Sequence, residues 1–126
     1  MELVFLKSNE EVLYLVSGKK EGLQSCLKEG YTILDGSTAE GAGEKHLPVV
    51  EKNGNRITVK VGSVFHPMTQ EHSIGWIFLE TKLGGQLIRL RPDEEPVGEF
   101  ILSDKDEAVA AYAYCNLHGF WKAEIR

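Results

Sequence analysis

The chain has 126 residues, of which 42% are hydrophobic and 26% charged, and its formal net charge is −5. These values suit one globular domain with at most a small appendage. The negative charge gives no general argument for binding nucleic acid or an anionic membrane, and no apolar run approaches transmembrane length. The N-terminal residues lack the apolar core of a signal peptide. We therefore expect a cytoplasmic protein with no nucleic-acid or membrane partner.

Short strand-like segments dominate residues 1–35, at Leu3–Leu6, Val12–Val16 and Tyr31–Leu34. A segment of this size buries too little apolar surface to be stable alone, so we expect it to pack on the rest of the protein or on a second copy. Residues 36–45 are rich in glycine and small polar residues. This composition indicates a linker or an exposed loop.

Strand patterns become clearer after residue 46. Further predicted strands are Ile57–Val61, Ile74–Thr81, Gln86–Leu90, Gly98–Leu102 and Phe120–Ile125. Residues 107–114 are ambiguous because their alanines favour a helix, but Tyr112 and Tyr114 alternate with small residues, which favours a strand. About seven strands without a long helix predict an antiparallel β-sandwich.

A cysteine and a histidine are spaced as Cys115-x-x-His118 in a predicted turn, where Asn116 and Gly119 tolerate a left-handed backbone. The other three histidines fall in two compact segments, as His46 and as His66 with His72. A single histidine is usually a surface or hydrogen-bonded core residue. Because no histidine lies elsewhere, we predict that all five side chains meet at one metal ion. These five candidate ligands are His46, His66, His72, Cys115 and His118.

The composition of this ligand set restricts which metal ions it can bind. Thiolate and imidazole suit zinc, copper and iron, and a structural zinc closes with four ligands where five are available here. Four imidazoles with one thiolate beneath the metal leave a sixth position open, which favours redox iron. Within the turn, we expect the backbone N–H groups of Leu117 and His118 to point at the Cys115 sulfur and to tune the reduction potential of the metal site.

Four motifs, in this order, resemble the iron-binding domain of superoxide reductases, the desulfoferrodoxin and neelaredoxin family. They are Glu44-Lys45-His46-x-Pro48-Val49, Val61-Gly62-x-x-x-His66-Pro67-Met68, His72-x-Ile74-x-Trp76-Ile77 and Tyr114-Cys115-Asn116-Leu117-His118-Gly119-x-Trp121-Lys122. The resemblance covers about residues 44–126. It implies an all-β, immunoglobulin-like, seven-stranded antiparallel β-sandwich.

The resemblance also implies roles for individual residues. The four histidines would be equatorial ligands of a square-pyramidal iron, and Cys115 the axial ligand. Glu44 and Lys45 match the family's loop over the open position, where the glutamate caps ferric iron and the lysine assists superoxide. The implied activity is one-electron reduction of superoxide to hydrogen peroxide, with a rubredoxin-like carrier as electron donor.

Residues 1–35 depart from the two-iron members of the family, which begin with a desulforedoxin-like domain that holds a second iron on four cysteines. Cys26 is the one cysteine of this region, so we expect one mononuclear iron per chain and interpret Cys26 as a remnant. We predict a degenerate desulforedoxin-like β segment at 1–35, a linker and active-site loop at 36–45, and the iron-binding β-sandwich at 46–126. A homodimer is the favoured assembly.

Two functions of other classes are compatible with the same residues. One is a zinc-stabilised β-sandwich interaction module without redox chemistry. The other is an electron-transfer protein whose iron never binds substrate. Metal content separates the first from the reductase, and reactivity with superoxide separates the second.

Overall fold

The computed structural model describes residues 2–10, 13–23, 30–34 and 43–125. The chain divides into two compact units, Met1–Asp35 and Gly36–Arg126. Within the described ranges, no helix is both long enough and apolar enough to cross a membrane.

The first unit contains a three-stranded antiparallel sheet. Its strands are β1 (Glu2–Ser8), β2 (Leu13–Gly18) and β3 (Tyr31–Leu34), in the order β2-β1-β3, with a 3-10 turn at Lys20–Leu23. Val4, Leu6 and Leu23 form a small core between them. Cys26 and the first residue of the predicted strand at Val12 lie outside the described residues.

The described part of the second unit, residues 43–125, contains one short helix and seven strands. In chain order these are α1 (Gly43–His46), β4 (Pro48–Asn53), β5 (Arg56–Val61), β6 (Ile74–Thr81), β7 (Gly85–Arg89), β8 (Val97–Ile101), β9 (Ala108–Cys115) and β10 (Gly119–Glu124). They form a four-stranded sheet, β10-β9-β6-β7, and a three-stranded sheet, β4-β5-β8, with antiparallel pairing throughout. The predicted antiparallel β-sandwich is confirmed.

The two sheets share one apolar core, and the alternation of residues along β9 decides which side chains enter it. Ala111, Ala113 and Cys115 face this core together with Ile77 and Phe100. Tyr112 and Tyr114 point to the outer face, in a row of aromatic rings in contact with Trp76, Phe78 and Phe120. The period-two pattern therefore outweighs the helix propensity of the alanines.

Strand β4 was not among the strands predicted from the sequence. Pro48 pairs with Val61 and Asn53 with Arg56, so β4 lies along the whole of β5. The strand is at the sheet edge and Pro48 is its first residue, which is where a proline costs no ladder hydrogen bond. Its burial falls steadily from one end to the other, without the alternation that identifies most half-buried strands.

Candidate metal centre

All five candidate ligands lie at one end of the β-sandwich, and the three-stranded sheet positions two of them. His46 ends helix α1 just before β4, and His66 follows the end of β5. Because Pro48 pairs with Val61 in antiparallel register, the chain enters β4 and leaves β5 at the same point. The two imidazoles are therefore neighbours, with ring centroids 4.6 Å apart.

The four-stranded sheet positions the other three ligands. Ile74, the first residue of β6, pairs with Cys115, the last residue of β9. His72 precedes this pair, and His118 follows it in the turn between β9 and β10. Antiparallel pairing thus brings the His72 loop beside the Cys115 turn, although the two are far apart in the sequence.

The ligand atoms of the five residues converge. One atom from each lies within 4.8 Å of every other, which confirms the predicted meeting point. The Nε2 of His46 is 3.1 Å from the Nε2 of His66 and 3.1 Å from the Nδ1 of His118. The Cys115 Sγ is 3.9 Å from the same His118 Nδ1.

The hydrogens of these imidazoles cannot satisfy the nitrogens that face one another. The Nδ1–H of His66 donates to the Pro67 carbonyl at 2.6 Å, so the Nε2 of neutral His66 carries a lone pair. A hydrogen on the His46 Nε2 reaches only one of its two nitrogen neighbours at a time. The Nε2 of His72 is buried and has no hydrogen-bond partner within the described part of the chain. A cation between these nitrogens satisfies all the lone pairs together, so the residues fit a metal ion.

The electrostatics of the cluster favour neutral imidazoles, the form that binds metal. Burial is the main cause that lowers the pKa of His66 to about 4, against the raising effect of its hydrogen bond to Pro67. Burial also lowers the pKa of His72, followed by repulsion from His118, His46 and the Lys45 ammonium. At neutral pH, neither His66 nor His72 has to lose a proton before binding a cation.

The turn from Cys115 to His118 places the thiol on the buried side of the cluster. Cys115 is fully buried, and the His118 N–H donates to its Sγ at 3.3 Å, as predicted for that amide. Gly119 has a left-handed backbone, with φ 84°. Of the two residues that tolerate this conformation, Asn116 does not adopt it, since among the described residues only Asp93 and glycines have positive φ.

Two further residues support the ligands, and the sequence analysis did not predict this role for them. Trp121 stacks on His46, with ring centroids 4.8 Å apart and an angle of 18° between the planes, and its Nε1–H donates to the His118 carbonyl at 3.2 Å. Asn116 bonds to the loop that carries His72. Both lie in the turn motif Tyr114–Lys122, so their position was visible in the sequence. The stacking of Trp121 on His46 and the hydrogen bonds of Asn116 depend on pairing between distant segments.

The other predicted site residues lie beside the cluster. Lys45 is exposed in helix α1, one residue before His46, and its charge acts on His72. Glu44 lies in the same helix, but its side chain is outside the described part of the structure.

The donor set narrows the identity of the metal. One thiolate and four imidazoles suit iron, copper or zinc, and five protein ligands exceed the four that close a structural zinc site.

The five ligands differ in their exposure to solvent. His46, His66 and Cys115 are buried, whereas His72 and His118 are partly exposed. The cluster is therefore closed on its thiolate side and reaches solvent at one edge.

The known proteins that this chain resembles include desulfoferrodoxins and superoxide reductases. It is 40% identical over 119 residues to a desulfoferrodoxin of Clostridium acetobutylicum, covering 94% of this chain and 92% of the relative. It is similar to the crystal structure of a superoxide reductase from Treponema pallidum, with 40% identity, a TM-score of 0.80 and coverage of 98% of this chain and 100% of that one.

A superoxide reductase (1Fe-SOR) from Giardia intestinalis matches 66% of this chain and 98% of its own, with 35% identity and a TM-score of 0.55. The family model for desulfoferrodoxin matches residues 38–124. On this match, and on the identity shared with its relatives over nearly its whole length, the chain belongs to the desulfoferrodoxin family.

Proposed function

We infer that this chain is a superoxide reductase that holds one mononuclear non-haem iron on the five candidate ligands. The observation that carries this inference is the convergence of four imidazole nitrogens and one thiol sulfur within 4.8 Å. Relatives of similar length and fold bear the same activity in their names, including the Treponema pallidum protein. These five residues would hold a ferrous iron, which would supply the one electron that, with two protons, converts superoxide to hydrogen peroxide without release of oxygen.

The chain's own residues provide the conditions for this reaction. Burial of Cys115 protects the thiolate from solvent and from oxidation. The His118 N–H that donates to the sulfur reduces the electron density that the sulfur gives to the metal. The partial exposure of His72 and His118 gives a small anion access to the cluster from solvent, which a buried electron-transfer centre does not need. This access favours the reductase over a carrier whose metal never binds substrate.

We propose that Lys45 attracts the superoxide anion. The net charge of −5 repels an anion, so local positive charge is needed at the site. Lys45 is exposed, and its ammonium is close enough to the site to help lower the pKa of His72. For Glu44 we propose the role that its place in the family motif implies, which is to occupy the open position after turnover.

The electron donor, the assembly and the N-terminal unit are further parts of the proposal. We propose that a small rubredoxin-like carrier restores the reduced state and that the protein is a cytoplasmic homodimer. The two cysteines, Cys26 and Cys115, do not make the disulfide framework that is typical of secreted proteins. We propose that residues 1–35 are a desulforedoxin-like unit without iron, because Cys26 alone cannot supply four thiolates. Residues 36–45 would then be the linker and active-site loop.

Metal analysis and reactivity test this function together. We expect one iron per chain and a coloured oxidised protein, because thiolate bound to ferric iron absorbs visible light. One zinc and no colour would support the interaction module. A protein that contains iron but stays reduced after rapid mixing with superoxide would support the electron carrier instead.

A further inference from the structure

Asn116 connects the turn that carries the thiolate to the loop that carries His72. Its side-chain Oδ1 accepts a hydrogen bond from the Ser73 N–H at 3.0 Å, and its Nδ2 donates to the Glu71 carbonyl at 2.8 Å. Its backbone N–H donates to the Ser73 carbonyl at 3.2 Å. The Glu71 carbonyl and the Ser73 N–H belong to the two peptide units that flank the His72 Cα, so the side chain of Asn116 holds both of them.

The amide group is suited to this position. One of its two partners is a donor and the other an acceptor, and a primary amide offers an acceptor and a donor on the same planar group. A carboxylate would set its negative charge against the Glu71 carbonyl. An alkyl side chain of the same size would form neither hydrogen bond.

A different residue fixes the shape of the His72 loop itself. The Thr69 N–H donates to the His72 carbonyl at 2.9 Å, and the His72 N–H donates to Thr69 Oγ1 at 3.1 Å. These bonds lie within one short loop and do not define its distance from Cys115. By contrast, the two side-chain hydrogen bonds of Asn116 connect this loop to the residue that follows Cys115 in the chain.

We propose that Asn116 is a positioning residue that keeps the His72 imidazole in register with the Cys115 sulfur at the metal. This role rests on the proposed iron centre. Partners that orient metal ligands typically change metal affinity by about 10- to 100-fold when they are removed. Loss of the two side-chain hydrogen bonds should therefore speed release of the metal and alter the thiolate–metal geometry.

The test compares two variants of Asn116 with a matched control in the full-length, iron-loaded protein. Asn116→Ala removes the amide group, and Asn116→Leu keeps the branched heavy-atom shape of the side chain but forms neither hydrogen bond. The control, Asn55→Ala, removes an exposed asparagine whose Nδ2 donates to Asp104 at 2.6 Å between two loops at the opposite end of the sandwich. The readouts are the rate of iron transfer to a chelator at 25 °C and the wavelength of the thiolate-to-iron absorption band.

We expect both Asn116 variants to release iron at least about tenfold faster than the parent and to shift the band. The Asn55 variant should match the parent in both readouts. Release from Asn116→Leu as slow as from Asn55→Ala would overturn the proposal, even if its metal-free melting temperature fell, because the role would then be structural. The parent provides the separate test of function: if it binds iron and reacts with superoxide, a negative result concerns Asn116 alone.

Discussion

At the scale of single residues, the chemistry depends most on Cys115. Its sulfur is the one soft donor in the cluster, is fully buried, and accepts a hydrogen bond from the His118 backbone. A thiolate donates electron density strongly to a metal, and a hydrogen bond to the sulfur reduces that donation. The reduction potential of the site should therefore respond to Cys115 more than to any one histidine.

Replacement of Cys115 by serine tests this dependence. Cys115→Ser should abolish the visible absorption band and most of the activity, because a hydroxyl is a hard, weakly donating ligand. His72→Ala should retain a visible band at a shifted wavelength, because the thiolate remains, and should lower iron retention, since three imidazoles would remain. Iron analysis, visible spectra and superoxide kinetics measure these effects. Full iron content and full rate in both variants would show that the ligand set is wrong.

Lys45 is the residue at which steering of the substrate can be measured. A single ammonium about 8 Å from the anion changes a bimolecular rate by about two- to thirtyfold, depending on the effective dielectric constant. Lys45→Ala should slow the reaction with superoxide within that range, and the difference should shrink as salt is added. Iron content and spectrum should stay the same, because Lys45 is not a ligand.

The matched control for Lys45 is Lys105→Ala. Lys105 is also exposed, but it follows β8 at the end of the sandwich far from the cluster. Both substitutions change the net charge equally. Equal rates for the two variants at low ionic strength would leave Lys45 as an ordinary surface lysine.

At the scale of elements, the features that could be predicted from the sequence are those that depend on a local residue pattern. Alternation along β9 identified the strand and its inner face, and the spacing of Cys115 and His118 identified the turn. Strand β4 was missed because its position at an edge permits an initial proline and requires no alternation. The bonds of Asn116 could not be predicted, because they depend on the pairing of Ile74 with Cys115 across distant segments.

Strand β10 supports the metal centre through Trp121. Trp121→Leu removes the ring stacked on His46 and the hydrogen bond to His118, so iron release should become about tenfold faster. Trp121→Phe keeps a stacking ring and should lose iron more slowly than the leucine variant. Chelator competition measures the release rates.

A tryptophan on the opposite face of the sheet provides the control. Trp76 stacks on Tyr114 in the outer row of rings. Trp76→Leu should lower the melting temperature with little change in iron release. If Trp76→Leu and Trp121→Leu lost iron at the same rate, the effect would come from general loss of packing and not from support of His46.

At the scale of the whole molecule, metal binding and stability are linked. The ligands come from several loops of one unit, so a metal that binds the folded chain and not the unfolded one raises the free energy of unfolding. The melting temperature should rise when iron is added. Equal melting temperatures with and without iron would contradict binding at this cluster.

Acid should destabilise the metal-free protein. Burial lowers the pKa of His66 from 6.5 to about 4, so between these values the unfolded chain binds a proton that the folded chain does not. The free energy of unfolding should therefore fall as the pH is lowered from about 6.5 to about 4, and His72 contributes in the same direction. Denaturant titrations across this range measure the effect. It should become smaller in His66→Gln, and an unchanged slope in that variant would show that His66 is not its source.

The central claim is that the cluster holds an iron that reduces superoxide without dismutating it. The most direct measurement is the product stoichiometry when fully reduced, iron-loaded protein is mixed with less than one equivalent of superoxide. We expect one hydrogen peroxide formed and one iron oxidised for each superoxide consumed, with no oxygen evolved. Evolution of one oxygen for every two superoxide molecules, or iron that stays reduced, would contradict the claim.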